Sequence, residues 1–154
     1  MAYETGAATG AIDLLDKLRL FCIANGWTVN QNSSVTNGQR LHLQKGSSLF
    51  VNLLATQSAV NNINGGSGNT YGIGLNMSDG YNAANAVFAQ PGSPPSNLGG
   101  CMAELSGAMP AYHFFAYPDS DDVLVALEFT TGNYQFMGFG KLDLFTPTAF
   151  GGQW

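Results

Sequence analysis

Short apolar runs, broken at close intervals by turn residues, fill the last third of the chain and constrain its fold more than any other feature. The sequence reads Tyr112-His113-Phe114-Phe115-Ala116-Tyr117, then Pro118-Asp119-Ser120-Asp121, then an alternating run that ends at Phe129. A Gly132-Asn133 turn follows, and a further run leads to Gly140-Lys141-Leu142. Aromatic and β-branched runs bounded by Pro, Asp, Ser, Gly and Asn predict a compact antiparallel meander over 112–142. In its middle run Val123, Val125, Leu127 and Phe129 fall on one face, and Leu124, Ala126 and Glu128 on the other. Tyr134, Phe136 and Gly138 alternate with Gln135, Met137 and Phe139 in the next.

The front of the chain has a different period. Residues 1–8 are small and are expected to be flexible. Over 9–25 the apolar residues Ala11, Leu14, Leu15, Leu18, Phe21 and Cys22 recur at helical spacing and form one stripe. Thr9 is the expected N-cap. Asp13 and Lys17 stand four apart, with the acid on the N-terminal side, and Asn25-Gly26 is a stop that tolerates the left-handed conformation. Residues 27–55 then read as a first β-meander, with strands over 27–31, 39–44 and 48–55 and a polar loop over 32–38. Leu41 and Leu43 share one face of its second strand, and Arg40 and His42 the other. Leu49, Phe50, Val51, Leu53 and Leu54 place its third strand at the centre of a sheet covered on both sides. Trp27 is expected to pin the helix end to this sheet.

The stretch 56–107 carries less periodicity. A strand is expected over 71–77, with Gly72 and Gly74 asking for a close backbone neighbour. Pro91, Pro94 and Pro95 punctuate 90–100. Two readings are open for this middle: an arm that partners order, or irregular structure wrapped around the core. Residues 143–154 are expected to leave the sheet as a tail whose Trp154 docks into a pocket. The predicted fold is α+β over a single domain, 1–154. One N-terminal helix packs on mainly antiparallel sheet, in two meanders arranged like a sandwich, with long irregular middle loops.

Composition narrows the function. The 154 residues suffice for one domain with a real core. Only 10% of them are charged, against the usual ~25%, so Asn, Gln, Ser, Thr and 20 glycines must carry the polar surface. Such a surface costs little to desolvate; it suits a subunit buried among others, and it also suits a secreted or heat-tolerant β-protein. Net charge is −5, and Lys17, Arg19, Arg40, Lys45 and Lys141 are scattered. Binding to a phosphate backbone draws on clustered cations, so sequence-specific nucleic-acid binding is not expected. Cys22 and Cys101 read as reduced, incidental thiols. Met1-Ala2-Tyr3-Glu4 opens without the basic and apolar regions of a signal peptide. No apolar run approaches the roughly 18 residues of a membrane span. Synthesis and folding in a cytoplasm are expected.

Candidate chemistry is sparse. His42 and His113 have no Cys or carboxylate at metal-ligand spacing, so each reads as a surface or packed histidine. Asp119, Asp121 and Asp122 cluster at one turn and could hold a cation, but Pro-Asp-Ser-Asp is also ordinary turn chemistry. No Gly-x-Ser-x-Gly elbow occurs, and Gly65-Gly66-Ser67-Gly68 lacks the lysine of a phosphate loop. The sequence therefore predicts a protein that is not an enzyme, with no catalytic residues, no cofactor and no metal. Tyr112, Phe114, Phe115, Tyr117, Phe129, Tyr134, Phe136 and Phe139 read first as core. Because they lie on both faces of the same strands, a two-sided sheet or a subunit interface fits them. Tyr71, Tyr81, Tyr117 and Trp154 motivate the alternative of a β-rich module that binds a glycan or receptor. Asp119, Asp121, Phe150, Gln153 and Trp154 are the positions expected to touch a neighbour.

The C-terminal block combines His113-Phe114-Phe115-Ala116, a β-run ending Glu128-Phe129, Gly132-Asn133-Tyr134, Gly138-Phe139-Gly140-Lys141-Leu142 and Gly151-Gly152. It resembles a segment of tailed-bacteriophage virion proteins. A helix running into Gly26-Trp27-Thr28-Val29 is similar to the openings of small neck and tail proteins of such phages. The likeness covers the first and last thirds of the chain. The sequence departs from the pattern at Gln135, where a histidine-bearing strand is expected, and at the closing Gln153-Trp154. The resemblance implies a structural subunit of the head–tail connector, neck, tail or baseplate, assembled in the host cytoplasm and resident in the virion. Its implied partners are copies of itself, in a ring, and other virion proteins. No catalytic residues come with it.

Overall fold

The structure is a computed structural model that describes residues 1–57, 71–94, 101–102, 105, 107–117 and 121–141. Its one described helix, α1 (Ala11–Ala24), buries the predicted stripe of Ala11, Leu14, Leu15, Leu18, Phe21 and Cys22. Thr9 is not its cap. The helix starts after Gly10, with no side-chain cap bond. Asp13 reaches back instead, its carboxylate accepting from the Thr9 backbone N–H at 2.8 Å while pairing with Lys17 at 3.3 Å. A carboxylate in the first turn also meets the positive end of the helix dipole. Gly26, at φ 82, ends the helix as expected.

Among the described residues nine strands form two antiparallel sheets: β1 (Ala2–Ala8), β2 (Thr28–Val35), β3 (Gly38–Lys45), β4 (Leu49–Thr56), β5 (Gly72–Ser78), β6 (Cys101–Met102), β7 (Met109–Tyr117), β8 (Asp122–Thr130) and β9 (Asn133–Phe139). One sheet has the order β1-β7-β8-β9 and the other β2-β3-β4-β5-β6. Both predicted meanders are present, as β2-β3-β4 and β7-β8-β9. The architecture is α+β and sandwich-like.

Two boundaries differ from expectation. Residues 2–8 are not a flexible lead but β1, an edge strand whose register runs Ala2↔Ala116 to Ala8↔Met109 along β7. Small residues allow this, because a Cβ on Gly6 would stand 2.7 Å from the Tyr112 hydroxyl. The polar loop expected over 32–38 is largely strand: β2 continues to Val35, and Thr36-Asn37 alone turns the chain. Its Asn and Ser side chains bond across to β3, with Gln39 donating to Asn32 at 2.6 Å and Arg40 to Ser33 at 3.0 Å. The strand expected over 71–77 is present as β5, whose register with β4 runs from Phe50↔Ser78 to Thr56↔Gly72. Residues 58–70, 95–100 and the tail 143–154 lie outside the described residues.

The core lies between the inner faces of the two sheets, with α1 inserted beside them. Leu41, Leu43, Val51, Leu53, Ala55, Ile73 and Leu75 come from one sheet. Tyr112, Phe114, Val123, Val125, Leu127, Met137 and Phe139 come from the other, in the same cluster. Phe21 of α1 packs on Phe114 at 5.5 Å between ring centroids. Trp27 pins the helix end as expected, but against the second meander: its ring meets Phe139 edge-on at 5.3 Å. Lys45 secures the same corner by donating to the Asn25 carbonyl at 2.6 Å.

Candidate functional site

The alternation of β7, β8 and β9 leaves a second set of large side chains on the face opposite the core. The register Tyr3↔Phe115↔Leu124↔Gly138 crosses the whole sheet as one row, and Thr5↔His113↔Ala126↔Phe136 is the next. Tyr117 and Asp122 close one end of the face; Glu128 and Tyr134 close the other. This face is open. Phe136 is 66% exposed, Tyr3 52%, Tyr134 50%, Tyr117 42% and Leu124 38%, values no core residue approaches. The aromatic crowd of the C-terminal block therefore divides by strand parity, with Tyr112, Phe114 and Phe139 in the core and Tyr117, Tyr134 and Phe136 outside.

Polar atoms on the β1–β7 half of this face are bonded among themselves. The Tyr3 hydroxyl meets His113 Nδ1 at 2.9 Å, and Thr5 Oγ1 donates to the Tyr112 carbonyl at 2.8 Å. The Tyr3 ring stacks near the His113 ring and tilts against Phe115 at 5.0 Å. Glu128 turns into its own hairpin, accepting from the Gly132 N–H at 2.8 Å. The Asp122 carboxylate lies against the Gly140 backbone. No lysine or arginine stands on these rows.

The outer face of the other sheet is closed. Residues 79–94 fold over it, stitched by their own amides: the Asn82 N–H donates to Gln90 Oε1 at 2.7 Å, and Gln90 Nε2 to the Ala86 carbonyl at 3.0 Å. Beneath lies a row of buried polar side chains from three adjacent strands, His42, Asn52 and Asn76, with Ser78 beside them. His42 Nδ1 stands 2.7 Å from Asn52 Oδ1, and Asn52 Nδ2 donates to Asn76 Oδ1 at 2.9 Å and to Ser78 Oγ at 3.0 Å. The row holds the cover down through Asn76, which donates to the Phe88 carbonyl, and Ser78, which donates to that of Gly80. The Tyr81 ring packs on the imidazole at 5.1 Å. The Gln31 amide meets the Tyr81 hydroxyl at 2.8 Å and is satisfied when its carbonyl faces Arg40 Nε, 3.1 Å away.

His42 is thus a packed histidine at 1% exposure, and strand alternation alone did not reveal the cover above it. Burial lowers its pKa, the Asn52 bond works the other way, and the Arg40 charge lowers it further. Its Nε2 has no partner among the described residues. Two features could have signalled this row in the sequence: Asn52 inside the apolar run of β4, and Asn76 at the matching place in β5. Cys22 is a buried free thiol whose pKa burial pushes up to about 12, so it does not act as a nucleophile. An open depression lined by Ile12, Val35, Asn37, Gly38, Gln57 and Tyr71 contains no acid–base pair.

Of the expected contact positions, Asp121 is described. It adopts φ 55, which Asp tolerates at turns, and stands 3.6 Å from Lys45 Nζ. Asp119, Phe150, Gln153 and Trp154 lie outside the described residues. Among the described residues no three His, Cys, Asp or Glu side chains converge as a metal site. No described helix is long and apolar enough to cross a membrane. No protein-family model matches the chain, and no curated protein matches it significantly.

Proposed function

We propose that the chain is a non-enzymatic structural subunit of a tailed-bacteriophage particle, in the head–tail connector, neck or tail, held there by subunit contacts. The observation that carries this reading is the open face of the β1-β7-β8-β9 sheet. Contiguous exposed aromatic area of this extent on a folded protein marks a surface that another macromolecule covers. Low charge supports it, because interface centres are depleted of charged groups and enriched in Tyr and Phe. The resemblance of the C-terminal block to virion proteins supplies the kind of assembly. The principal buried polar row is consumed in holding the 79–94 cover, which further favours a structural role over catalysis.

Mass spectrometry of purified particles tests the proposal: the chain is expected as a stoichiometric component, and its absence would sink the reading. The alternative is a β-rich module that binds a glycan or receptor. Exposed Tyr117, Tyr134 and Tyr3 motivate it, since sugar rings stack on such side chains. A glycan array probed with the purified protein separates the two, and binding that Tyr117→Ala or Tyr134→Ala abolishes would favour the alternative.

A further inference from the structure

We infer that the open face of the four-stranded sheet is closed by the same face of a second copy of this chain. The inference rests on the structural-subunit reading and names the occupant of its surface.

Three properties of the face select that occupant. The first is charge. With no cation on its rows, the face does not hold a nucleic acid, an anionic lipid surface or an acidic glycan. Two acids stand at its ends, and a like face would ordinarily set acid against acid. Here, however, Glu128 accepts from the Gly132 N–H and the Asp122 carboxylate stands where a Cβ on Gly140 would be, so each acid is engaged within its own sheet.

The second property is area. With ~200 Å² for a fully exposed aromatic side chain, the exposed parts of Tyr3, Tyr117, Leu124, Tyr134 and Phe136 amount to on the order of 500 Å². That is about two thirds of the ~800 Å² each partner contributes to a standard interface. Phe115 and His113, half-buried between them, add to it.

The third property is shape. Phe136 projects from β9, while its row neighbour on β8 is Ala126 and the residue two further along β9 is Gly138. The face therefore has both a knob and a low region beside it. In a two-fold arrangement each copy's Phe136 lies over the other's Ala126, as self-complementary closed interfaces require. The sheets then stack face to face at the ~10 Å spacing of a sandwich.

Sedimentation velocity of the purified protein from about 1 μM to about 300 μM tests this, a range matched to an interface of modest size. A reversible monomer–dimer equilibrium is expected. Phe136→Ser should weaken it at least tenfold, by the loss of one ring from the centre. Leu20→Lys, on the exposed side of α1, should leave it unchanged. Leu124→Lys and Leu124→Glu should each be monomeric alone and dimerise when mixed, which requires the two faces to oppose one another. Circular dichroism melts establish that each variant is folded.

A wild-type protein that stays monomeric throughout overturns the inference, even where particle mass spectrometry finds the chain in virions. So does a dimer that neither Phe136→Ser nor the Leu124 pair disturbs. A glycan that binds this face on a monomer overturns it in favour of the binding-module alternative. A dimer lost through these variants, together with absence from particles, leaves this inference standing and removes the phage reading.

Discussion

His42 and Asn52 face each other across β3 and β4, and their 2.7 Å contact fixes the protonation of the imidazole. Asn52 Nδ2 is committed to Asn76 and Ser78, so Oδ1 is the atom turned to the ring. An amide oxygen accepts, and His42 Nδ1 must therefore carry the proton. Nε2 is left as a buried lone pair with no partner among the described residues. Four side chains with one tautomer and one amide orientation define the outer surface of this sheet, and the 79–94 cover is fastened to it.

Asn52→Ala removes the hub of that row. It leaves the His42 donor, the Asn76 oxygen and the Ser78 hydroxyl without their partner in a buried site. Each such group costs about 1–3 kcal/mol, relieved in part by relaxation of the cover. The expected loss is roughly 2–4 kcal/mol in urea unfolding. Hydrogen exchange over 79–94 should quicken more than exchange over β7 and β8. Unchanged exchange in the cover would refute the role assigned to the row.

Gly38 opens β3 where β4 passes closest. A Cβ built there falls on the carbonyl oxygen of Ala55, a backbone atom that cannot swing aside. Gly38→Ala must move the strand pair or open its register. The expected cost is about 1–3 kcal/mol, read as a fall in Tm of roughly 2–12 °C. Gly46 has no neighbour within 4 Å and φ 60, so an Asn there should cost far less.

The strength of each sequence signal determined how much of this was legible. The α1 stripe and the alternation of β8 are local patterns whose period names the element, and both meanders follow from them. β1 was hard to read because its strand-favouring residues, Tyr3 and Thr5, are diluted by Ala, Glu and Gly; pairing with β7, a partner over a hundred residues away, makes it a strand. Asn32, Ser33 and Ser34 read as loop for the related reason that polar residues form a strand only when cross-strand bonds satisfy them. The candidate face was half legible. Parity placed Leu124 and Ala126 opposite Val125, but no local pattern could show that nothing within the described residues covers Phe136. The buried row had a signal, Asn52 inside the apolar run of β4, but that run shows neither the cross-strand partners of Asn52 nor the cover above it.

Cys22 should be inert while the fold is intact. Its thiol, fully buried in the core, has its pKa pushed up to about 12, with Lys45 only partly offsetting burial. The ordinary thiol value is 9.0, so at pH 8 the folded protein holds on the order of a thousandfold less thiolate than the unfolded chain. Iodoacetamide labelling mapped by peptide mass spectrometry should find Cys22 unmodified in the native protein and fully alkylated in urea. Native labelling at the rate of a free thiol would show the helix stripe to be open.

Stability should fall as the solution is acidified through the histidine range, and His42 should be the cause. Its folded-state pKa lies below the unfolded value of 6.5, because burial and the Arg40 charge oppose a proton there and the Asn52 bond only partly compensates. Arg40 and Gln44 on its own strand, Gln31 on β2, Asn52 on β4 and Tyr81 in the cover supply no carboxylate to hold an imidazolium. Below pH 6.5 the unfolded chain therefore takes up a proton that the folded protein refuses. The stabilisation is complete above 6.5 and is lost as pH falls from there toward the folded-state value, with a slope of at most about 1.4 kcal/mol per pH unit. Asp13 acts in a lower window. Burial would raise its pKa, but the Thr9 N–H and Lys17 outweigh this and lower it, so its contribution is lost only on acidification below the usual carboxylate range. Melting curves between pH 7.5 and pH 4.5 should show the first decline in the wild type and not in His42→Gln, whose amide can still donate to Asn52 but does not titrate. Identical pH profiles for the two proteins would mean that His42 takes its proton without disturbing the fold, and the fixed tautomer would be wrong.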